Sequence, residues 1–157
     1  MENVHVTLLF LGDTSASQLP QLTEVIRNAT QEIAPFTIVF GAFGAFAQLQ
    51  SARVLFIHVQ SPEQRLFQLQ RALTAHVAPM GQFDLDKRTY HPHITLARIR
   101  KKTKAVDARL YEIQTPAPHS MMVNSITLFE SHVQGGVLRY LPVEEFSLNN
   151  GPPSGQS

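Results

Sequence analysis

Cysteine is absent from this sequence. Its absence excludes disulfide bonds, thiolate ligands to a metal ion and a cysteine nucleophile. The sequence also lacks an apolar run long enough to span a bilayer, and its first residues contain no basic patch followed by a signal core. We therefore expect a soluble protein of the cytoplasm that does not contact a membrane.

Charge of either sign is in little excess, with a formal net charge of +1 at pH 7. Bulk charge therefore indicates neither an acidic nor a basic partner. The distribution is less even, because seven of the thirteen Lys and Arg residues lie between positions 87 and 104. Such a basic cluster could contact phosphates, but on charge alone a solvated loop is the simpler interpretation.

The length of 157 residues suits one domain with a substantial core. We expect this domain to span residues 1–148 and the chain to be a monomer. Residues 149–157 contain nothing to bury, so a disordered tail is expected there.

Apolar residues at helical spacing predict a helix over residues 17–33 and another from Ser61 onwards. Ser61 and Gln64 fit a capping box, and Pro62 occupies the first helical position. The second helix should end at residues 79–81. The expected buried stripes are Leu19, Leu22, Ile26, Ala29 and Ile33 in the first helix, and Leu66, Leu69, Leu73 and Val77 in the second.

Strand-forming residues favour strands over residues 4–11, 36–47, 53–60 and 93–100. Residues 120–130 and 136–146 are predicted to pair as a hairpin. Residues 104–112 are ambiguous and are assigned to a short helix.

One short motif occurs twice, as His5-Val6-Thr7-Leu8 and as His93-Ile94-Thr95-Leu96. Each copy is followed by a connecting segment and then by a pair of predicted strands. The period is too long for a solenoid. Two related halves instead predict two lobes whose equivalent residues meet at a cleft, the preferred place for a ligand.

On a strand, residues two positions apart project from the same face. His5 and Thr7 should therefore project together, and so should His93 and Thr95. Two imidazoles can act as acid and base near neutral pH, and two hydroxyls between them could hold phosphate oxygens. The alternate residues should pack under the helices; they are Val6, Leu8 and Phe10 in the first copy, and Ile94 and Leu96 in the second.

A single histidine on a strand is more often structural than catalytic, but two matching copies in corresponding halves favour chemistry. His91 and His93 share a face and suggest a metal pair. No third ligand follows at a known spacing, so no metal site is predicted. The remaining histidines show no partner pattern and are interpreted as structural or exposed; they are His58, His76, His119 and His132.

The strings His5-Val-Thr-Leu-Leu-Phe-Leu-Gly12 and His91-Pro-His-Ile-Thr-Leu-Ala-Arg98 resemble the two signature motifs of the two-histidine phosphoesterases. They are most similar to the bacterial and archaeal RNA 2′,3′-cyclic phosphodiesterases, historically called 2′–5′ RNA ligases. The resemblance covers nearly the whole chain, including residues 125–131. It implies a bilobal, pseudo-symmetric α+β fold with antiparallel sheets lining a central cleft and helices outside. It also implies catalysis without a metal ion or cofactor.

The resemblance further implies a role for each site residue. His5 would be the general acid that protonates the leaving 3′ oxygen, and His93 the general base that activates water. Thr7, Thr95 and Arg98 would bind the phosphate. The substrate would be an RNA end with a 2′,3′-cyclic phosphate, on a tRNA fragment or a cyclic nucleotide, and the product a 2′-phosphomonoester.

Two features depart from a simple transfer of the family pattern. Strict alternation from His93 places Arg98 on the face opposite Thr95, so Arg98 reaches the phosphate only if the strand ends, twists or bulges near Ala97. Family members also carry a strand and a helix before the first motif, which here follows Met1 closely. Beyond the motifs, further RNA contacts are expected at Tyr90, Lys101 and Lys102, where Tyr90 would stack on a base.

Two other functions stay open at this point. The same residues would serve a reversible RNA ligase that joins tRNA halves, because joining reverses the attack on a phosphodiester. A non-catalytic module could instead grip the RNA end in the cleft and bind the strand through the basic cluster, with strong salt dependence.

Overall fold

A computed structural model of the chain describes residues 4–46, 54–98 and 119–149. Within these ranges two α-helices accompany a four-stranded and a two-stranded antiparallel sheet. The helices are α1 (Leu19–Gln31) and α2 (Arg65–Val77). The strands are β1 (Phe36–Phe46), β2 (Val54–Gln60), β3 (His93–Arg98), β4 (Ser120–Val123), β5 (Ser125–Gln134) and β6 (Val137–Ser147). The predicted α+β class is confirmed.

One hydrophobic core joins the inner faces of both helices to both sheets. The predicted stripe of α2 is fully buried, and α1 buries Leu22, Ile26 and Ala29 of its own stripe. Ile33, just beyond α1, is also buried, and Leu19 packs partly against the core. Neither helix is long and apolar enough to cross a membrane, and the described ranges contain no other α-helix.

The start of α2 differs from the prediction. Ser61 to Gln64 form a turn, closed by the Gln64 N–H donating to the Ser61 carbonyl at 2.9 Å. Gln64 then has a left-handed backbone with φ 58°, and the helix begins at Arg65. The Ser61 hydroxyl still caps the helix, because the Leu66 N–H donates to it at 3.1 Å. The end is as predicted, since Gly81 adopts φ 65°, a conformation open to glycine without a Cβ clash.

The four-stranded sheet has the order β3-β2-β1-β4, and β5 pairs with β6 as a hairpin. The prediction of one strand over residues 120–130 is therefore wrong. The chain leaves the first sheet after Val123 and enters the hairpin at Ser125, and the carbonyl of Asn124 accepts the Leu148 N–H at 2.8 Å. This bond ties the corner between the two sheets.

Three smaller predictions have different outcomes. Residues 4–11 form no continuous strand, because only Val6 has a ladder partner, Ile94. The ambiguous residues 104–112 lie outside the described residues. Of the predicted tail, only Asn149 is described, and its N–H donates to the Ile33 carbonyl at 2.9 Å.

Gly44 on β1 lies beneath two aromatic rings of β2. A Cβ at this position would lie 2.5 Å from the Phe56 ring and 2.9 Å from His58 Nε2. Phe56 is only 5% exposed, so its ring cannot move aside. We expect Gly44→Ala to lower the free energy of unfolding by about 2 kcal/mol, measured by urea denaturation. Gly41→Ala is the matched control, because its Cβ would meet nothing nearer than 3.4 Å; an equal loss in both variants would contradict this account.

Candidate active site

The two His-x-Thr motifs lie side by side, joined by an antiparallel bridge between Val6 and Ile94. Continuing the pairing by one residue on each side places His5 opposite Thr95 and Thr7 opposite His93, all on one face. Cβ atoms of directly opposed residues lie about 5 Å apart, and those of a diagonal pair about 7 Å apart. His5 and His93 form such a diagonal pair, so their Cβ atoms are expected about 7 Å apart on this face.

The reverse faces of the motifs follow the prediction only in part. Ile94 is 8% exposed, and Val6 and Leu8 pack against the core. Phe10 and Leu96 are instead 69% and 48% exposed, so their predicted burial is wrong. Phe10 lies four residues after the bridge, where the first segment no longer pairs with β3, and Leu96 lies at an irregularity of β3.

That irregularity is a β-bulge which changes the face of Arg98. Along β2, Phe56 pairs with Thr95 and the preceding Leu55 pairs with Ala97, so Leu96 is an extra residue. Paired residues share a face of the sheet. Ala97 therefore lies with Leu55 on the reverse face. Arg98, paired with Val54, lies on the face of Thr95. Because of the bulge, Arg98 lies on the same face as Thr95, whereas strict alternation would place it on the opposite face.

His93 is oriented by the backbone just before it. Its Nδ1 lies 2.6 Å from the carbonyl oxygen of His91. A carbonyl oxygen can only accept, so Nδ1 carries the proton in the neutral ring and Nε2 is the basic nitrogen. The ring also meets the Phe56 ring edge-on, with centroids 5.3 Å apart. This tautomer is the one that a general base acting through Nε2 requires.

His5 is held by aromatic rings of the β5–β6 hairpin. Its centroid lies 4.6 Å from that of Tyr140 in a T-shaped contact, and 6.5 Å from that of Phe129. Phe129 and Tyr140 share one face of the hairpin by register, which identifies this face as the one turned to the site. The opposite face carries Ile126 and buried Phe146 and packs toward α1.

Each histidine motif packs against the pair of strands that belongs to the other half of the chain. His5 precedes β1 and β2 in sequence but contacts β5 and β6. His93 precedes β5 and β6 but belongs to the sheet of β1 and β2. Each imidazole is therefore supported by the strand pair of the other half, which brings both to the junction of the halves.

The structure describes only part of the basic cluster that was expected to contact RNA. Lys101 and Lys102 lie outside the described residues. Arg88 of the basic cluster is bound by Asp86, and these hydrogen bonds lower the pKa of the Asp86 carboxyl to about 2. Part of the cluster's charge is thereby balanced locally.

Tyr90, which is expected to stack on an RNA base, is partly buried. Its ring packs against the core and meets Phe67 in a T-shaped contact with centroids 5.7 Å apart. Its hydroxyl is buried and has no hydrogen-bond partner within the ranges that the structure describes, and burial raises the pKa of Tyr90 above its ordinary value. The ring therefore contributes to packing, and its contact with RNA stays a prediction.

We expect Tyr90→Phe to raise the free energy of unfolding by about 1 kcal/mol, because it removes a buried hydroxyl that lacks a partner. The wild type should also lose stability above about pH 10, where the unfolded chain releases the Tyr90 proton and the folded chain retains it. The variant should lack that part of the pH dependence. Urea denaturation at neutral and alkaline pH measures both effects, and a destabilised variant would contradict the assignment.

Two residues that lie beside the candidate site were not found from the sequence. Phe56 and His58 lie on the same face of the sheet as Thr95 and His93, their respective partners. Only the strand register reveals this, because neither residue belongs to a repeated motif. Within the described ranges, no group of three or more His, Asp or Glu side chains could hold a metal ion.

Comparison with known proteins identifies the family. The family model of the 2′-5′ RNA ligase superfamily matches residues 2–135. The RNA 2′,3′-cyclic phosphodiesterase of Bacillus subtilis is 30% identical over 146 residues, which cover 92% of this chain and 76% of that protein. The RNA 2′,3′-cyclic phosphodiesterase of Escherichia coli is 31% identical over 148 residues, or 94% of this chain and 77% of that protein.

Solved structures agree with the sequence relatives. Escherichia coli LigT complexed with 3′-AMP superposes with a TM-score of 0.72 at 30% identity, over 94% of this chain and 78% of that chain. A protein of Thermus thermophilus superposes with a TM-score of 0.76 at 25% identity, over 93% and 78% of the two chains. The chain, with its paired His-x-Thr motifs side by side, belongs to the 2′-5′ RNA ligase superfamily of two-histidine phosphoesterases.

Proposed function

We propose that this protein hydrolyses the 2′,3′-cyclic phosphate at an RNA end to a 2′-phosphomonoester, by general acid–base catalysis without a metal ion. The observation that carries the proposal is the Val6–Ile94 bridge, whose register brings His5, Thr7, His93 and Thr95 to one face. The names of the relatives, RNA 2′,3′-cyclic phosphodiesterases, support the substrate class. All these groups come from one chain, so a monomer suffices.

His93 is the general base. With its Nδ1 proton directed at the His91 carbonyl, Nε2 accepts a proton from water as the water oxygen attacks phosphorus. The bond from phosphorus to the 3′ oxygen breaks on the opposite side, where His5 donates a proton to the leaving oxygen. The product is a 2′-phosphomonoester with a free 3′ hydroxyl. Exchange of one proton with solvent then restores both imidazoles.

Thr7, Thr95 and Arg98 stabilise the phosphate during the reaction. Each threonine lies opposite an imidazole of the other motif, so a hydroxyl donor stands on either side of the gap. Arg98 approaches from the end of β3 on the same face and contributes a full positive charge. Donors that are positioned before the reaction stabilise the charge that builds on the non-bridging oxygens.

The test is turnover of a 2′,3′-cyclic mononucleotide with and without a chelator. We expect hydrolysis in both cases, with the 2′-phosphate as the product identified by ³¹P NMR. A 3′-phosphate product would mean that the 2′ oxygen, and not the 3′ oxygen, is the leaving group. Loss of activity with chelator would contradict metal independence. Tight binding without turnover would replace the proposal with an RNA-end-binding module.

A second assay, with tRNA halves as substrates, measures the joining reaction. An RNA with a 5′ hydroxyl can take the place of water as the nucleophile, because His93 would deprotonate either one. We expect joining of tRNA halves to be slower than hydrolysis, because water competes at a far higher concentration. Joining that outpaces hydrolysis would identify the protein as a ligase.

A further inference from the structure

His58 of β2 lies on the site face directly beside His93. The two residues are register partners on neighbouring strands, and partners project from the same face. His5 lies on the other side of His93, across the Val6–Ile94 bridge. The order of imidazoles across this face is therefore His5, His93, His58, and the first two flank the phosphate.

Local packing fixes where the His58 ring can lie. The Phe56 ring meets His58 and His93 edge-on, with centroids 4.9 and 5.3 Å apart respectively. Phe56 thus contacts both imidazoles. The His58 ring extends over β1, where Gly44 leaves room for it, because a Cβ on Gly44 would lie 2.9 Å from His58 Nε2. The His58 side chain is exposed, and within the described residues it forms no hydrogen bond or ion pair. A nitrogen donor is therefore held at the surface of the site with no hydrogen-bond partner among the described residues.

Strand spacing gives the distance between this donor and the reacting phosphate. Neighbouring strands lie about 4.8 Å apart, and the phosphate would lie between the first motif and β3. The backbone of His58 on β2 is thus about one and a half strand spacings away, roughly 7 Å. The His58 Nε2 reaches beyond β2 toward Gly44 of β1, about two strand spacings or roughly 10 Å from the reacting phosphate, which leaves room for the next phosphate of the RNA backbone between them.

Charge selects the direction in which an RNA strand would leave the site. Strands β1 to β4 carry no Asp or Glu, whereas the β5–β6 hairpin carries three glutamates. Glu130 and Glu144 pair with His132 and Arg27 on the hairpin face turned away from the site, so Glu145 is the one that acts there. Glu145 lies on the same hairpin face as Phe129, the face turned to His5. A polyanion is repelled from the hairpin and is accommodated over the four-stranded sheet, across β2 and the glycines of β1.

We propose that His58 forms a second phosphate subsite, which binds the phosphate on the 5′ side of the terminal nucleotide. This inference rests on the proposed function. The imidazole N–H donates a hydrogen bond to an oxygen of that phosphate, which a mononucleotide with a free 5′ hydroxyl lacks. Binding energy from this remote contact raises kcat/KM for oligonucleotides and leaves mononucleotides unaffected. The substrate class is therefore an RNA of two or more nucleotides.

The test compares a dinucleotide that ends in a 2′,3′-cyclic phosphate with the corresponding cyclic mononucleotide. In the wild type we expect kcat/KM to be about tenfold higher for the dinucleotide, the size of effect usual for a hydrogen bond to a charged group. His58→Ala should remove this advantage and leave mononucleotide hydrolysis unchanged. His58→Gln should retain part of it, because the amide can donate. Equal losses on both substrates, or no loss on the dinucleotide, would overturn the subsite.

His132→Ala is the matched control. His132 is also an exposed histidine, but it pairs with Glu130 at 3.0 Å and lies on the hairpin face opposite to Phe129. It should change neither activity. Equilibrium binding of the dinucleotide and the mononucleotide, both as 2′-phosphates, tests the His58 subsite separately from the proposed hydrolysis, because binding requires no turnover. If the wild type hydrolyses neither substrate but still binds the dinucleotide more tightly, and His58→Ala abolishes the difference, the proposed function fails and the subsite stands.

Discussion

Replacing His93 by alanine is expected to lower kcat for a 2′,3′-cyclic nucleotide by about 10²–10⁴-fold. The variant loses the imidazole whose Nδ1 is directed at the His91 carbonyl, and with it the basic Nε2 that accepts the proton of water. The phosphate would still be bound by Thr95 and Arg98, so KM should change far less than kcat. Initial rates over a range of substrate concentrations measure both constants.

His5→Ala should cause a loss of similar size, but a change of substrate separates the two histidines. A phosphodiester with a p-nitrophenyl leaving group does not require a proton from an acid. His5→Ala should therefore regain most of its activity on that substrate, whereas His93→Ala should remain impaired because water must still be activated. If His93→Ala regained activity on that substrate and His5→Ala did not, His93 would be the general acid and His5 the general base. Recovery in neither would show that His5 has another role.

These losses are informative only if the variants fold. His132→Ala, remote from the site face, serves as the control for removing an exposed histidine. We expect all three variants to keep the wild-type thermal midpoint, because neither His5 nor His93 belongs to the buried core. Full activity in either site variant would remove the basis of the proposed mechanism.

The sequence predicted the helices well because their information is local. Apolar residues at helical spacing identify a buried face without knowledge of the partner, and the stripe of α2 is buried as predicted. The start of α2 could not be read in the same way. The capping box and Pro62 both favoured a helix from Ser61, but the left-handed backbone at Gln64 delays it until Arg65. Tertiary packing decides between such closely related conformations.

The sheets show the reverse case, because strand pairing is not local. The sequence found most strands but not that β4 and β5 belong to different sheets, nor that each motif lies against the strand pair of the other half. His58 was missed for the same reason. Its place beside His93 follows only from the register of β2 and β3.

The environment of Tyr90 shows a related limit. Adjacent to the second motif and to the basic cluster, it had the position of a substrate contact. Burial against Phe67 depends on the packing of α2, which the residues around Tyr90 do not encode. Proximity in sequence to a catalytic motif therefore indicates proximity in space but not exposure.

Arg98→Ala should lower kcat/KM for cyclic phosphate hydrolysis by about 10²–10³-fold, the cost of removing one well-placed donor to a developing negative charge. The reason is the bulge at Leu96, which turns Arg98 to the face of His93 and Thr95. Arg98→Lys should recover part of the loss, because it keeps the charge but not the planar pair of donors. Steady-state kinetics on a cyclic mononucleotide measure the series.

The double variant Ala97→Arg/Arg98→Ala distinguishes the bulge from a regular strand. If β3 alternated strictly from His93, position 97 would share the face of Thr95, and an arginine there would restore activity. With Leu96 as an extra residue, position 97 pairs with Leu55 on the reverse face, so the double variant should be as impaired as Arg98→Ala. Ala97 is exposed, so the larger side chain fits without disturbing the core. Rescue by the arginine at position 97 would show that the bulge does not form and that Arg98 acts from elsewhere.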